Sequence, residues 1–185
     1  MANTALVLID YQNDYFEGGR FTLPHAAQAV AQAARLLAHF RAQGLPVIHI
    51  QHIAAHDGAT FFLPDTAGAA IHPSMAPREG ERVIIKHKAN AFVGTALHAT
   101  LQELDVQQLV IGGMMTNMCV DAGVRAAADM GYACVLVADA CAAANLAHDG
   151  VAVPAAQVHA AFVAALGFAY AQVVACGAYI SGQHG

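Results

Sequence analysis

The sequence predicts an α/β fold, a three-layer αβα sandwich with a central, mainly parallel six-stranded sheet. Two observations lead to this prediction. Short apolar runs rich in β-branched residues alternate with Ala-rich stretches, which is typical of βαβ units. Several Ala-rich stretches are also closed by a glycine, as helices commonly are. Because 185 residues can bury one sizeable core, we expect a single domain over residues 1–185.

The strands are predicted at six apolar runs, each bounded by polar or turn-forming residues. They lie at 5–9, 46–51, 82–85, 108–112, 133–138 and 172–176. Runs of this kind are typical of strands that are buried on both faces of a parallel sheet. We therefore expect helices to cover both faces.

The helices are predicted between these strands, at 25–43, 95–104, 117–130 and 154–166. Alanine, the best helix former, dominates them. The segment 52–77 fits neither pattern and is rich in Gly, Pro, His and Phe. Because a loop of this length in a compact domain is usually functional, we expect it to form a wall of a pocket.

The composition limits the partners and the compartment. Only 11% of the residues are charged, well below the usual quarter or so, which predicts a homodimer or homotetramer with part of its surface in subunit contacts. The net charge is 8 − 13 = −5 and the basic residues are scattered, which argues against a nucleic-acid partner. With no membrane-length apolar run and no signal-peptide pattern, we expect no membrane partner and a cytoplasmic location.

Four polar features fall at the predicted carboxyl ends of strands. Asp10, His52 and Lys86 follow the first three strands, and Gly112-Gly113 ends the fourth and leads towards Cys119. Ligands of open parallel sheets bind outside this edge. We therefore expect these residues to form one site.

Cys119 is a candidate nucleophile because it lies where a strand gives way, through a glycine turn, to a predicted helix. A thiol in the first helical turn is next to the positive end of the helix dipole, which favours the thiolate. The unpaired N–H groups there can bind an oxyanion. A free cysteine is, however, more often a small buried apolar residue, so the residue alone does not identify a nucleophile.

Asp10 and Lys86 are candidates for the partners of this thiol. A carboxylate at the edge of the core can act as a general base, and a lysine nearby can stabilise thiolate and anionic intermediates. Position alone leaves Asp14 as an alternative to Asp10, and Lys88 as an alternative to Lys86.

The eleven histidines raise the question of a metal site. His49, His52 and His56 are the closest group, but residues three apart in a strand face opposite sides of the sheet. No carboxylate accompanies them at a fixed short spacing. We therefore expect no metal and no other cofactor, and we interpret His52 as a pocket residue.

Three motifs occur in order along nearly the whole chain. They are Leu-Ile-Asp-Tyr-Gln-Asn-Asp-Tyr at 8–15, Ile-Lys-His-Lys-Ala-Asn-Ala-Phe-Val-Gly-Thr at 85–95 and Gly-Gly-Met-Met-Thr-Asn-Met-Cys-Val at 112–120. With these motifs the sequence resembles the isochorismatase-like cysteine hydrolases, the family that includes nicotinamidases and N-carbamoylsarcosine amidase. The resemblance implies the Rossmann-like fold of that family.

The resemblance also assigns roles. It implies that Asp10 is the base, that Lys86 completes a catalytic triad and that Cys119 is the nucleophile, which favours these residues over Asp14 and Lys88. It further implies a cis peptide bond between Met114 and Met115, with the N–H groups of Met115 and Cys119 forming an oxyanion hole.

Two departures narrow the resemblance. Nicotinamidases of the family hold a metal with an Asp-x-His after the second strand, where this chain has Gln51-His52-Ile53. The isochorismatases proper replace the nucleophile by a small residue, whereas this chain retains Cys119. The sequence therefore resembles the metal-free branch of cysteine hydrolases.

We predict hydrolysis of a small carboxamide or related C–N bond through a thioester. The alternatives are hydrolysis of another small acyl or nitrile substrate on the same triad, and a non-catalytic, oligomeric pseudoenzyme. A redox sensor is disfavoured because the sequence has no Cys-x-x-Cys pair. Aromatic and amide side chains on the loops of this edge are predicted to hold a small planar substrate: Phe16, His52, Phe62, Asn90 and Phe92.

Overall fold

Six parallel strands form the central sheet of the computed structural model, which describes residues 3–183. The chain contains, in order, β1 (Thr4–Ile9), β2 (Val47–His52), β3 (Arg82–Lys86), β4 (Gln108–Met114), β5 (Ala133–Ala142), β6 (Leu146–His148), β7 (Val151–Val153) and β8 (Gln172–Val174). The order in the sheet is β3-β2-β1-β4-β5-β8, and β6 and β7 pair separately as an antiparallel hairpin. The sheet therefore grows outward in both directions from the β1–β4 pair.

Helices cover both faces of this sheet. They are α1 (Ala26–Ala42), α2 (Leu97–Glu103), α3 (Asp121–Asp129), α4 (Ala155–Ala169) and α5 (Cys176–Ile180). Residues of α1 and α5 pack in one core cluster, and residues of α2, α3 and α4 pack in the other. The predicted three-layer αβα sandwich is confirmed.

The first strand shows why the sheet must be covered on both sides. Leu6 and Leu8 of β1 belong to the α1 cluster, whereas Val7 and Ile9 belong to the α3 cluster. Successive side chains of a strand point to opposite faces, so an uninterrupted apolar run needs an apolar layer on each.

The structure differs from the sequence prediction in several elements, and β5, for example, runs to Ala142 instead of 138. The last strand ends at Val174 instead of 176, because the N–H of Cys176 is bonded to Asp139 Oδ1 at 2.7 Å and begins α5. The predicted helix 117–130 is divided into a π-helical turn, Thr116–Val120, and α3. The β6–β7 hairpin was not predicted, although Asp149-Gly150, both with positive φ, is a common hairpin turn.

The long segment after β2 contains no α-helix or strand, as predicted, and includes only two short 3₁₀ turns, Ala67–Ala69 and Pro73–Met75. Within residues 3–183, no helix is long and apolar enough to cross a lipid bilayer.

Glu81, beside the start of β3, joins the sheet to α1. Its carboxylate accepts two bonds from the Arg41 guanidinium, at 2.6 and 2.8 Å, and one each from His49 Nε2 and the Arg78 N–H, both at 2.9 Å. Burial raises the pKa of Glu81, but these bonds outweigh burial and lower the pKa from 4.5 to about 2. The carboxylate therefore stabilises the fold in its ionised form.

Replacing Glu81 by glutamine is expected to lower the free energy of unfolding by about 2 kcal/mol at neutral pH, because charge-assisted bonds are lost. The pKa is depressed in the folded state, so this contribution is complete above pH 4.5 and is lost as the pH falls towards 2. Urea unfolding of wild type and Glu81→Gln between neutral pH and about pH 2 measures the difference in unfolding free energy. Glu79→Gln, an exposed neighbour, is the control. A difference that does not depend on pH would contradict the prediction.

Candidate active site

Four polar side chains converge where the carboxyl ends of β3, β2, β1 and β4 lie side by side. Lys86 ends β3, His52 ends β2 and is paired with Lys86 in register, Asp10 follows β1, and Cys119 follows β4. The chain connections change direction between β1 and β4, which is the position where open α/β sheets bind ligands. The structure thus brings together the residues that the sequence placed at this edge.

Two glycines at the end of β4 allow close packing at this point, Gly113 against β1 and Gly112 against the Tyr11 hydroxyl and Ala140. A Cβ atom on Gly113 would lie 2.6 Å from the Cβ and the carbonyl oxygen of Ile9, and one on Gly112 would lie 2.8 Å from the Tyr11 hydroxyl. Only glycine fits at such a backbone approach. The two strands therefore deliver Asp10 and the Cys119 turn to neighbouring positions.

Asp10 has an unusual backbone for a residue other than glycine, with φ of 55°. Aspartate tolerates this left-handed region better than most residues. The Asp10 N–H still donates to Ile50 O of β2 at 3.0 Å, so the chain turns immediately after the sheet. The side chain has no exposed surface, and within residues 3–183 neither of its carboxylate oxygens accepts a hydrogen bond of good geometry; Oδ2 is instead in an ion pair with Lys86.

Lys86 is the centre of the group and is also fully buried. Its Nζ atom lies 2.8 Å from Asp10 Oδ2, 2.9 Å from His52 Nδ1, 3.1 Å from the Lys88 carbonyl oxygen and 3.2 Å from Cys119 Sγ. The Lys88 side chain is exposed, so this residue contributes its backbone to the site. One ammonium group therefore contacts every polar member of the group.

Burial and charge set the protonation states here. Burial raises the pKa of Asp10, and the Lys86 ammonium offsets only part of that effect. Burial lowers the pKa of Lys86, but the Asp10 carboxylate and Cys119 outweigh burial and raise it. Burial and the Asp10 carboxylate raise the pKa of the Cys119 thiol well above its ordinary value. The lysine is thus charged and the cysteine is a thiol.

The thiolate expected from the helix dipole is therefore not the resting state. Cys119 lies in the π-helical turn before α3 instead of in the first turn of a long α-helix, and only 5% of its surface is exposed. Desolvation of the charged form and the neighbouring carboxylate outweigh the dipole. Single π turns occur frequently at functional sites.

Asp14, the alternative to Asp10, is bonded to backbone groups. Its Oδ2 accepts the Phe62 N–H at 2.6 Å, and its Oδ1 accepts the Arg20 N–H at 3.1 Å. This carboxylate joins two loops, and a methyl group on Gly68 would collide with it. The contacts indicate a structural role for Asp14.

Gln12 contributes to the site although sequence reasoning did not select it. Its buried amide accepts the His52 N–H at 2.7 Å and donates to the His52 carbonyl at 2.8 Å and to the Ala69 carbonyl at 2.7 Å. Gln12 therefore fixes the His52 backbone and joins it to the long loop. Its position in the first motif, two residues after Asp10, was the available signal.

The residues predicted to line the pocket make different contacts in the structure. Phe62 packs against the His52 ring, with centroids 5.8 Å apart, but only 1% of it is exposed, so it supports the ring. Phe16 packs against His72 at 4.2 Å. Asn90 accepts the Phe92 N–H at 2.9 Å, and the Phe92 ring stacks on Tyr132. Of these five residues, His52 is the one whose side chain is within hydrogen-bonding distance of Lys86.

The turn between β4 and Cys119 is also held in place. The Met114–Met115 peptide bond is cis. The next residue, Thr116, is buried, and its hydroxyl lies 2.9 Å from Nδ1 of His159 in α4. Sequence reasoning did not select Thr116 or His159, because their chain separation concealed this contact.

The site also offers one grouping of metal-type ligands. Asp10, His52 and Cys119 each present a ligand atom, and these atoms lie within 4.8 Å of one another. The Lys86 ammonium, however, is within hydrogen-bonding distance of all three. Because a cation of the protein already occupies the centre of this ligand set, the residues do not fit a metal ion.

Comparison with known proteins gives consistent matches. The model of the isochorismatase domain family matches residues 4–166. The isochorismatase family protein YddQ of Bacillus subtilis is 49% identical over 177 residues, covering 96% of this chain and 98% of that protein. Streptothricin hydrolase of Streptomyces noursei is 33% identical over 166 residues, covering 88% of this chain and 65% of that protein.

Solved structures agree with these matches. A protein from Oleispira antarctica, assigned to the isochorismatase hydrolases, superposes with a TM-score of 0.94 at 51% identity and covers 97% of each chain. An isochorismatase from Pseudomonas putida superposes with a TM-score of 0.90 at 39% identity, covering 95% of this chain and 89% of that one. The family match includes every strand end that carries a residue of the site.

Proposed function

The chain belongs to the isochorismatase family of hydrolases, and from this premise we propose that it hydrolyses a small carboxamide or related C–N bond with Cys119 as nucleophile. One observation carries the proposal. The buried Lys86 ammonium lies within hydrogen-bonding distance of both the Asp10 carboxylate and the Cys119 sulfur. A carboxylate suited to act as a base, a thiol suited to act as a nucleophile and a buried positive charge thus lie together at the carboxyl ends of the strands.

The first half of the reaction forms a thioester. Asp10 takes the proton of the Cys119 thiol while the sulfur attacks the substrate carbonyl carbon. The N–H groups of Met115 and Cys119, in one turn of the chain, are proposed to hold the resulting oxyanion. Protonated Asp10 then gives its proton to the leaving nitrogen, and the C–N bond breaks with release of ammonia or an amine.

The second half releases the acid. Water attacks the thioester carbonyl, Asp10 accepts a proton from this water, and the C–S bond breaks. The sulfur leaves as a thiolate beside Lys86 and regains its proton from Asp10. Lys86 remains charged throughout and stabilises whichever of the two groups is negative.

The exposure of the site favours a small substrate. Asp10 and Lys86 are inaccessible, Cys119 is 5% exposed and the His52 side chain is 21% exposed. We therefore propose that the substrate approaches the sulfur from the side of His52, the most exposed of these four residues. Streptothricin hydrolase, one of the relatives, is named for the hydrolysis of streptothricin, which supports hydrolytic chemistry on this scaffold.

A panel of small amides, assayed for ammonia and for the carboxylic acid, tests the proposal. At least one member is expected to give both products in equal amounts. Rapid acid quenching and peptide mass analysis should find the acyl group on Cys119, and added hydroxylamine should divert it to a hydroxamate. Amide hydrolysis without an adduct on Cys119, and with no hydroxamate, would contradict the thioester route.

The assembly belongs to the same proposal, and we infer a homodimer or homotetramer. Nine large apolar side chains are exposed within residues 3–183, among them Phe168 of α4 at 92%, Val151 of β7 at 64% and Ile85 of β3 at 53%. Homodimer interfaces are more apolar than the rest of a protein surface, so we propose that side chains of this kind lie in contacts between subunits. Sedimentation velocity gives the state in solution, and a monomer at micromolar concentration would contradict the inference.

A further inference from the structure

Lys86 has more hydrogen-bond acceptors than hydrogens. An ammonium group carries three N–H donors and accepts nothing. Four possible acceptors surround it: Asp10 Oδ2, His52 Nδ1, the Lys88 carbonyl oxygen and Cys119 Sγ. Because three hydrogens face four acceptors, at least one acceptor must lack a hydrogen bond from Lys86 or share a hydrogen with another acceptor.

The protonation state of His52 follows from this contact. Because the ammonium can only donate, His52 Nδ1 must present a lone pair, so the ring is neutral with its hydrogen on Nε2. Burial, together with Lys86, lowers the pKa of His52 to about 4, which agrees with a neutral ring at physiological pH. His52 Nδ1 therefore accepts a hydrogen bond from Lys86 without adding a charge to the buried site.

The His52 ring is held in place, so its Nδ1 atom can remain the acceptor of one ammonium hydrogen of Lys86. Gln12 binds both the N–H and the carbonyl of His52, and Phe62 packs against the ring. The second neutral acceptor is the Lys88 carbonyl oxygen of the backbone, 3.1 Å from Nζ. Two of the three ammonium hydrogens therefore have permanent neutral acceptors, and a single one is left for Asp10 and Cys119.

Building on the proposed function, we propose that His52 is a positioning residue that retains one hydrogen of Lys86, so that the last hydrogen alternates between Asp10 and Cys119. In the resting site the ionised Asp10, whose Oδ2 lies 2.8 Å from Nζ in an ion pair, is proposed to attract this hydrogen more strongly than the thiol sulfur, and Cys119 stays a thiol. When the thiol proton passes to Asp10, that carboxyl becomes neutral and the hydrogen turns to the thiolate, 3.2 Å away. No net charge is created in the buried group.

The proposal has a counterintuitive consequence. If the His52 acceptor is removed, three hydrogens face three acceptors, and Cys119 receives one permanently. The thiolate is then stabilised in the free enzyme. The other ionisable groups that influence these atoms are Tyr15, beside Asp10 and Cys119, and His56 and His87, beside His52; all three remain unchanged in the variants below.

The test is the pH dependence of Cys119 alkylation by iodoacetamide in the intact protein, followed by peptide mass analysis. His52→Phe keeps an aromatic ring against Phe62 but lacks the acceptor, and is expected to react at least about tenfold faster than wild type at pH 7, with its profile shifted to lower pH. His52→Asn supplies an oxygen acceptor and should stay within about threefold of wild type.

The controls separate this effect from access and from folding. His52→Ala opens the site more than His52→Phe, so a shift shared by both reports the acceptor and not the space. His148→Phe, at the exposed end of β6, should leave the profile unchanged. Identical profiles for His52→Phe, His52→Ala and wild type would overturn the proposal, as would equal shifts in His52→Phe and His52→Asn.

This experiment needs no substrate, so its outcome is independent of the reaction catalysed. Turnover retained by Cys119→Ala would refute the proposed function and leave the alkylation result standing. Unchanged alkylation profiles with an active wild-type enzyme would refute only the role of His52.

Discussion

Replacing Cys119 by alanine is expected to lower kcat for amide hydrolysis by at least about a thousandfold, because the thioester can no longer form. The structure predicts little change in folding. The side chain is small, and its sulfur contacts the Lys86 ammonium instead of filling a large apolar space. Initial rates of ammonia release, together with thermal unfolding curves, measure both quantities.

Cys134→Ala is the matched control for this variant. Cys134 is also buried, and its thiol is directed at backbone carbonyls in the core on the α3 side of the sheet. We expect the Cys134→Ala variant to be somewhat less stable than wild type and to have an unchanged kcat. Comparable losses of kcat in the two variants would show that packing, not nucleophilic attack, explains the effect.

Breaking the Asp10–Lys86 pair is expected to have the largest effect on stability. Lys86→Met leaves a fully buried carboxylate without its counterion, and Asp10→Asn leaves a fully buried ammonium. Removing one partner of a buried ion pair typically costs about 3–5 kcal/mol. Each variant should also lower kcat by at least about a hundredfold, because the base or the fixed charge is lost.

The double variant Asp10→Asn/Lys86→Met separates stability from catalysis. With both charges removed, we expect it to recover much of the unfolding free energy lost by either single variant and to remain inactive. Urea unfolding of the four proteins completes the double-mutant cycle. Lys88→Met, at an exposed side chain, is the control and should resemble wild type. Additive losses would contradict a coupled pair.

Most of the fold could be predicted from the sequence because it follows from local patterns. The apolar runs and Ala-rich stretches correctly gave six parallel strands with helices on both faces. Parallel strands place their carboxyl ends at one edge, so Asp10, His52, Lys86 and Cys119 could be expected to meet there. The membership in the isochorismatase family, inferred from three short motifs, is also confirmed.

The contacts between distant side chains could not be predicted in this way. Gln12 and His52 are 40 residues apart, and Thr116 and His159 are 43 apart, so no periodicity relates them. Local rules predicted a lowered pKa for the Cys119 thiol, whereas burial and the Asp10 carboxylate raise it, because the extent of burial cannot be inferred from a local sequence pattern. The π-helical turn likewise has no simple sequence pattern.

The order of the strands has a consequence for how this protein matures. The four polar residues belong to four adjacent strands, and the β1–β4 pair joins residues about a hundred positions apart in the chain. Such pairings close large loops and form slowly. No short fragment can therefore assemble the proposed site. In a chain whose β1 and β4 have not yet paired, the Cys119 thiol is not held beside Asp10 and Lys86. If the proposed site is catalytic, recovery of activity during refolding reports the pairing of β3, β2, β1 and β4.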